Sequence, residues 1–272
     1  MKLSSARVYL LQSGSLHPIL LELVTDDGLV GIGEAGLAYG MGGRAAAGMV
    51  SDLVEAVLPS RDLSRIEELW SDMYDHSFWA KGGLPFILAG ISAIEQALWD
   101  IKGKSFGVPI YEVLGGMLRD RVRVYANGWS YSCTSTTDYA RAAERTIRDG
   151  YNVLKCYPLA IQSGTGGIRH VSRLSVDRSF ADLAVEKVKA VRDAVGATVD
   201  IMVDLSGGLT TDQTIRLCRR LERFDLFLSK SPPIHSTSEH WKGFPLTSKF
   251  PSCSARGSIP AKDFVRSWKA AQ

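Results

Sequence analysis

From Val122 onward the sequence alternates strand-like and helix-like segments at short intervals, and this rhythm restricts the fold more than any other feature. Val122–Ala126 reads as a short strand, and Asp138–Asp149 as a helix closed by Gly150. Asn152–Tyr157 reads as a strand, and Ser179–Val195 as a helix closed by Gly196. Val199–Asp204 is then a strand and Thr211–Arg223 a helix. Repeats of this kind predict parallel strands joined by helical crossovers, as a barrel or an open doubly wound sheet.

A different region precedes it. Lys2–Leu11 and Ile19–Thr25 are β-rich runs, and Asp26-Asp27-Gly28 marks a turn before a strand at Leu29–Ile32. Helical spacing follows over Arg44–Val57, over Leu63–Tyr74 and over Gly90–Lys104. The second of these opens on a Ser64-x-x-Glu67 capping box. The expected organisation is an α+β domain over 1–118, an α/β domain over 119–227, and a tail over 228–272. That tail is rich in Ser, Pro and Lys and shows neither period, so by composition it reads as a disordered basic segment.

Composition narrows the function classes. The 272 residues are 45% hydrophobic and 22% charged, which is ordinary for a soluble globular protein. A net charge of +3 is too small to imply nucleic acid or an acidic membrane as partner. No apolar run reaches the roughly 18 residues of a membrane span, and the N-terminus lacks the apolar core of a signal peptide. Cys133, Cys156, Cys218 and Cys253 show no C-x-x-C spacing. A reducing, cytoplasmic setting is the expectation.

Parallel α/β folds collect functional groups at the C-terminal ends of their strands. Two such ends are ionisable here. In Lys155-Cys156-Tyr157, alternation puts Lys155 and Tyr157 on one face and Cys156 on the other. Asp204 ends the next strand, before Ser206-Gly207-Gly208. A carboxylate there suits a hard cation, and a neighbouring lysine can serve as base or carboxylate clamp. Taken singly, a lysine at a strand end is more often a solvated charge, and an aspartate before Gly-Gly more often a turn or helix cap. The five histidines show no ligand spacing, and Gly207-Gly208 fits no nucleotide-binding pattern.

Ala89–Gly116, AGISAIEQALWDIKGKSFGVPIYEVLGG, closely resembles the signature of the mandelate racemase/muconate-lactonising branch of the enolase superfamily. Asp26–Gly36, DDGLVGIGEAG, resembles the N-terminal meander of that family, and the likeness extends to about Phe227. The resemblance implies an α+β capping domain over a modified (β/α) TIM-type barrel, homo-oligomers, and one Mg²⁺ held by three carboxylates on successive strands. It also implies removal of the proton beside the carboxylate of a small-molecule substrate through an enediolate. Asp204 then fits the first metal ligand, and Lys155 the first lysine of a K-x-K motif. Tyr157 replaces the second, the usual base. That departure points away from a racemase or cycloisomerase and toward an acid-sugar dehydratase. Ser206 stands where the family has a later asparagine.

The family strand ending in Ile-Glu-Glu-Pro is missing, and Leu228-Ser229-Lys230-Ser231-Pro232 occupies its place. Allowed codons for these residues, read one base earlier, give Phe-Ile-Glu-Glu-Pro. The same shift continues through Thr237 as FIEEPADPFD. From Ser254 it again yields a Gly-Glu-Arg run like the third-ligand strand. Residues 228–272 are therefore expected to be an out-of-frame segment ended by a chance stop. Only about half the barrel would then be present, none of the sheet would continue past Phe227, and the metal site would be incomplete. The alternatives are a divergent natural tail or, on its Lys and Arg alone, a basic binding module.

Overall fold

The computed structural model describes residues 1–13, 16–37, 41–162, 168–169, 176–230 and 252–253. They form two compact units, Met1–Arg121 and Val122–Gln272.

In the first unit, β1 (Leu3–Leu10), β2 (Ile19–Thr25) and β3 (Val30–Ala35) make an antiparallel meander in that order. Ile19, Leu21 and Leu23 alternate onto the buried face of the central strand, as a period of two requires. Helices α1 (Gly43–Val57), α2 (Ile66–His76), α3 (Pro85–Phe106) and the single-turn α4 (Ile110–Val113) complete the unit.

Helix α3 lies unusually close to β3. A side chain at Gly33 would put its Cβ 1.8 Å from the Ala93 carbonyl oxygen, and one at Gly31 2.2 Å from that of Ala97. Only glycine on the strand, facing alanine on the helix, permits this approach. The same helix serves the free edge of β3. Gln96 Oε1 accepts from the Glu34 amide at 3.1 Å, Asp100 Oδ2 accepts from the Ile32 amide at 3.0 Å, and Lys104 Nζ donates to the Val30 carbonyl at 2.7 Å. Four helical residues rise about 6 Å and two strand residues about 6.6 Å, so the two ladders stay in step. An edge that would otherwise template aggregation is thereby occupied.

Two expectations are corrected here. The Ser64-x-x-Glu67 box does not form, because the Ser64 amide donates to Asp62 Oδ1 and α2 begins only at Ile66. The third helix starts five residues before Gly90, since Pro85 at the first helical position presets the backbone.

In the second unit, β4 (Val153–Cys156), β7 (Asp200–Asp204), β8 (Leu228–Lys230) and β9 (Ser252–Cys253) pair in parallel in that order. A small antiparallel pair, β5 (Ile161–Gln162) and β6 (Ile168–Arg169), follows β4. Helices α5 (Thr136–Arg148), α6 (Arg178–Val195) and α7 (Thr211–Leu221) are the crossovers. Ser135 and Asp138 close a reciprocal capping box on α5, and Thr210 and Gln213 do so on α7. Arg192 donates to the carbonyls of Gly196, Val199, Phe224 and Asp225, tying the approach to β7 to that of β8.

Two further expectations change. The strand over Val122–Ala126 reduces to one bridge, Ala126 with Leu154. Val122 and Val124 are 73% and 62% exposed, with no described strand on their far side. The sheet also does not stop at Phe227: Leu228–Lys230 pairs with β7 and Ser252–Cys253 with β8. Pairing draws on backbone groups that every non-proline residue carries, so a changed side-chain sequence need not end it. The rest of 231–272 lies outside the described residues, as does the expected disorder there.

Candidate active site at the strand ends

Lys155 sits in β4 and Asp204 ends β7, on neighbouring parallel strands. The Lys155 Nζ is 3.6 Å from Asp204 Oδ2, and both residues are buried. That distance makes an ion pair and is too long for a hydrogen bond. The ammonium also lies 5.3 Å from the centroid of the Tyr125 ring. The other carboxylate oxygen, Asp204 Oδ1, accepts from the Ser206 amide at 2.9 Å and from its hydroxyl at 3.2 Å. Ser206 adopts φ of 48° to close this turn, which a small polar residue tolerates.

Tyr157 follows β4 directly and is 6% exposed. Its carbonyl accepts from the Tyr139 hydroxyl at 3.4 Å. Cys156 is fully enclosed, and burial pushes its thiol up to about 12, so it is inert. Of the three sequence-derived candidates, Lys155 and Asp204 are brought together. Tyr157 is placed at the same strand end.

Mg²⁺ asks for oxygen ligands and for charge compensation. Asp204 offers one carboxylate, already facing an ammonium on one oxygen and holding Ser206 on the other. Among the described residues no cluster of three His, Cys, Asp or Glu forms. On strand register the residue paired with Asp204 from β8 is Lys230. These residues do not fit a Mg²⁺ site.

Sequence reasoning missed three residues around β4. Trp129 Nε1 donates to the Lys155 carbonyl, Tyr139 OH to that of Tyr157, and Lys187 Nζ to that of Pro158. Lys187 had a readable signal: it falls on the stripe of α6 shared by Ala184, Val188 and Val191. Trp129 and Tyr139 had none.

Comparison with known proteins agrees with this architecture. The model of the mandelate racemase/muconate lactonizing enzyme N-terminal domain matches residues 12–115, and that of the enolase C-terminal domain-like family matches 138–236. A crystal structure of a candidate dehydratase from Mesorhizobium loti superposes with a TM-score of 0.87 at 53% identity, covering 93% of this chain and 66% of that one. The D-gluconate dehydratase of Thermoproteus tenax is 32% identical over 84% of this chain and 43% of its own length. The D-galactonate dehydratase of Variovorax paradoxus is 31% identical over 91% of this chain and 60% of its own. The chain belongs to the mandelate racemase/muconate lactonizing enzyme family of the enolase superfamily. Its fold is the superfamily's N-terminal capping domain followed by a partial C-terminal barrel. It spans about half the length of the curated relatives it matches. Superfamily members are generally Mg²⁺-dependent.

Proposed function

We propose that this chain carries the capping domain and the first barrel strands of an acid-sugar dehydratase, and that as written it is catalytically incomplete. The observation behind this reading is the buried Lys155–Asp204 pair, in which the Asp204 carboxylate faces an ammonium. The gluconate and galactonate dehydratases among its relatives support the substrate class. In the intact protein the α-proton of an acid sugar is removed, the β-hydroxyl leaves as water, and the enol becomes a 2-keto product. Lys155 places its positive charge at the strand end, where such a site would accumulate carboxylate and enediolate charge. Tyr157, a phenol in place of an amine, argues against a racemase or cycloisomerase that needs a second lysine as base.

Residues 228–272 are read as out of frame, beginning at the Phe227 codon. Strand register supports this, because position 230 lies beside Asp204 and the shifted frame supplies glutamate there. A second carboxylate at that point would offer what Mg²⁺ lacks in the present chain. The intact protein is further proposed to be cytoplasmic and homo-oligomeric, without nucleic-acid or membrane partners. Cys156 is a free cysteine, in keeping with a reducing compartment. Among the described residues no helix is long and apolar enough to cross a membrane.

The test compares the chain as written with a frame-restored version. Each is titrated with Mg²⁺ by calorimetry and assayed for 2-keto product on a panel of acid sugars. Binding and turnover by the restored protein alone supports the reading. Tight Mg²⁺ binding by the unrestored chain overturns its incompleteness, and inactivity of the restored protein overturns the dehydratase assignment.

A further inference from the structure

Three carbonyls near the end of β4 each receive a hydrogen bond from a side chain elsewhere in the fold. Trp129 Nε1 donates to Lys155 at 2.9 Å, Tyr139 OH to Tyr157 at 3.4 Å, and Lys187 Nζ to Pro158 at 3.2 Å. The donors also touch one another. Trp129 and Tyr139 meet edge to face with centroids 6.2 Å apart, and Lys187 Nζ lies 5.2 Å from the Tyr139 ring centroid.

Lys187 is the unusual member. It is 4% exposed, and no described carboxylate lies within ion-pair distance of it. The titratable groups facing it are Cys156 on β4, Cys133 before α5 and Tyr139 on α5. Enclosing an ammonium this way is unfavourable, and burial lowers its pKa. A leucine or methionine would fill the same space without that penalty, so the amine answers a need other than packing.

We infer that Lys187 is a positioning residue: from α6 it fixes the backbone at Tyr157–Pro158, and with it the direction in which Lys155 and Tyr157 leave the strand end. The inference rests on the reading above, that Lys155 and Tyr157 belong to the active site. Its structural part is independent of any activity.

Amide exchange and thiol labelling on the full chain test it. In Lys187→Met, exchange of the Lys155 amide and labelling of Cys156 should quicken at least about tenfold, equivalent to ~1.4 kcal/mol of local opening. Amides in α7 should keep their rates, and Lys187→Arg, which retains the donor, should restore much of the protection. Equal acceleration throughout the unit would make Lys187 ordinary core, and no acceleration would leave it without this role; either overturns the inference. Should Lys187→Met fail to fold, Tyr139→Phe removes the neighbouring donor with little change in packing and should open the same segment; unchanged protection there likewise counts against it. In the frame-restored protein Lys187→Met should lower kcat far more than it alters KM. Inactivity of the restored wild type would count against the dehydratase reading while the exchange result still stood.

Discussion

Lys155 Nζ and Asp204 Oδ2 face each other across 3.6 Å inside the second unit, each on the end of a parallel strand. A buried pair of this kind holds its members by mutual compensation, so removing one leaves an uncompensated charge. Asp204→Asn keeps acceptors for Ser206 but strands the ammonium, and should destabilise the second unit by about 3 kcal/mol. Replacing both, as Lys155→Met with Asp204→Leu, should recover much of that loss. Urea unfolding of the wild type and the two variants measures it.

The glycines of β3 are a steric requirement. Gly33→Ala would drive its Cβ to within 1.8 Å of the Ala93 carbonyl oxygen, a backbone atom of α3 that cannot swing aside. The helix and strand must separate, and the Gln96, Asp100 and Lys104 bonds to β3 go with them. Loss of the first unit's cooperative unfolding transition is expected. Gly48→Ala, in open space on α1, should be stable by comparison and serves as control.

Asp138 gives a pH signature. Donors from Ser135 and Thr134 hold its carboxyl down to about 2, from an ordinary value of 3.8. Its folded-state pKa is depressed, so its contribution is complete above the unfolded value and disappears as pH falls through the folded one. The stability gap between wild type and Asp138→Ala should therefore be constant near neutrality, shrink below pH 3.8 and close near pH 2. A gap independent of pH would show that the carboxylate's charge is irrelevant to the cap.

Leu114, Leu118, Val122 and Val124 are exposed by 66%, 86%, 73% and 62%. Within the second unit, Val122 and Val124 expose an apolar segment with no described strand beyond it, which favours association. The chain as written should self-associate in a concentration-dependent way, whereas the frame-restored protein should give one defined species. Light scattering after size exclusion distinguishes them, and a monodisperse monomer from the unrestored chain would contradict the expectation.

Much of this was legible in the residues. The meander, the longer helices and the strands that carry Lys155 and Asp204 follow from periodicity, glycine stops and the signature at Ala89–Gly116. What was not legible lay in choices between competing local bonds. Asp62 takes the Ser64 amide, so a correct capping pattern produces no cap. Val122–Ala126 has strand composition but only one bridging residue, because pairing needs a neighbour that composition cannot supply. The reverse holds for Leu228–Lys230, whose unfamiliar sequence still joins the sheet through its backbone. At the site, Lys155 and Asp204 announced themselves by strand-end position. Trp129 and Tyr139 act through carbonyls, which leave no trace in the sequence.

A reading frame that departs at Phe227 is visible in the coding DNA from Phe227 to Pro232, and sequencing that stretch decides it. The Ser229 and Lys230 codons should end in G and the Ser231 codon should begin with AG, so that the frame one base earlier reads Glu-Glu beside Asp204. A Ser229 codon ending in any other base, or a Ser231 codon of the TCN type, removes one of those glutamates and contradicts it.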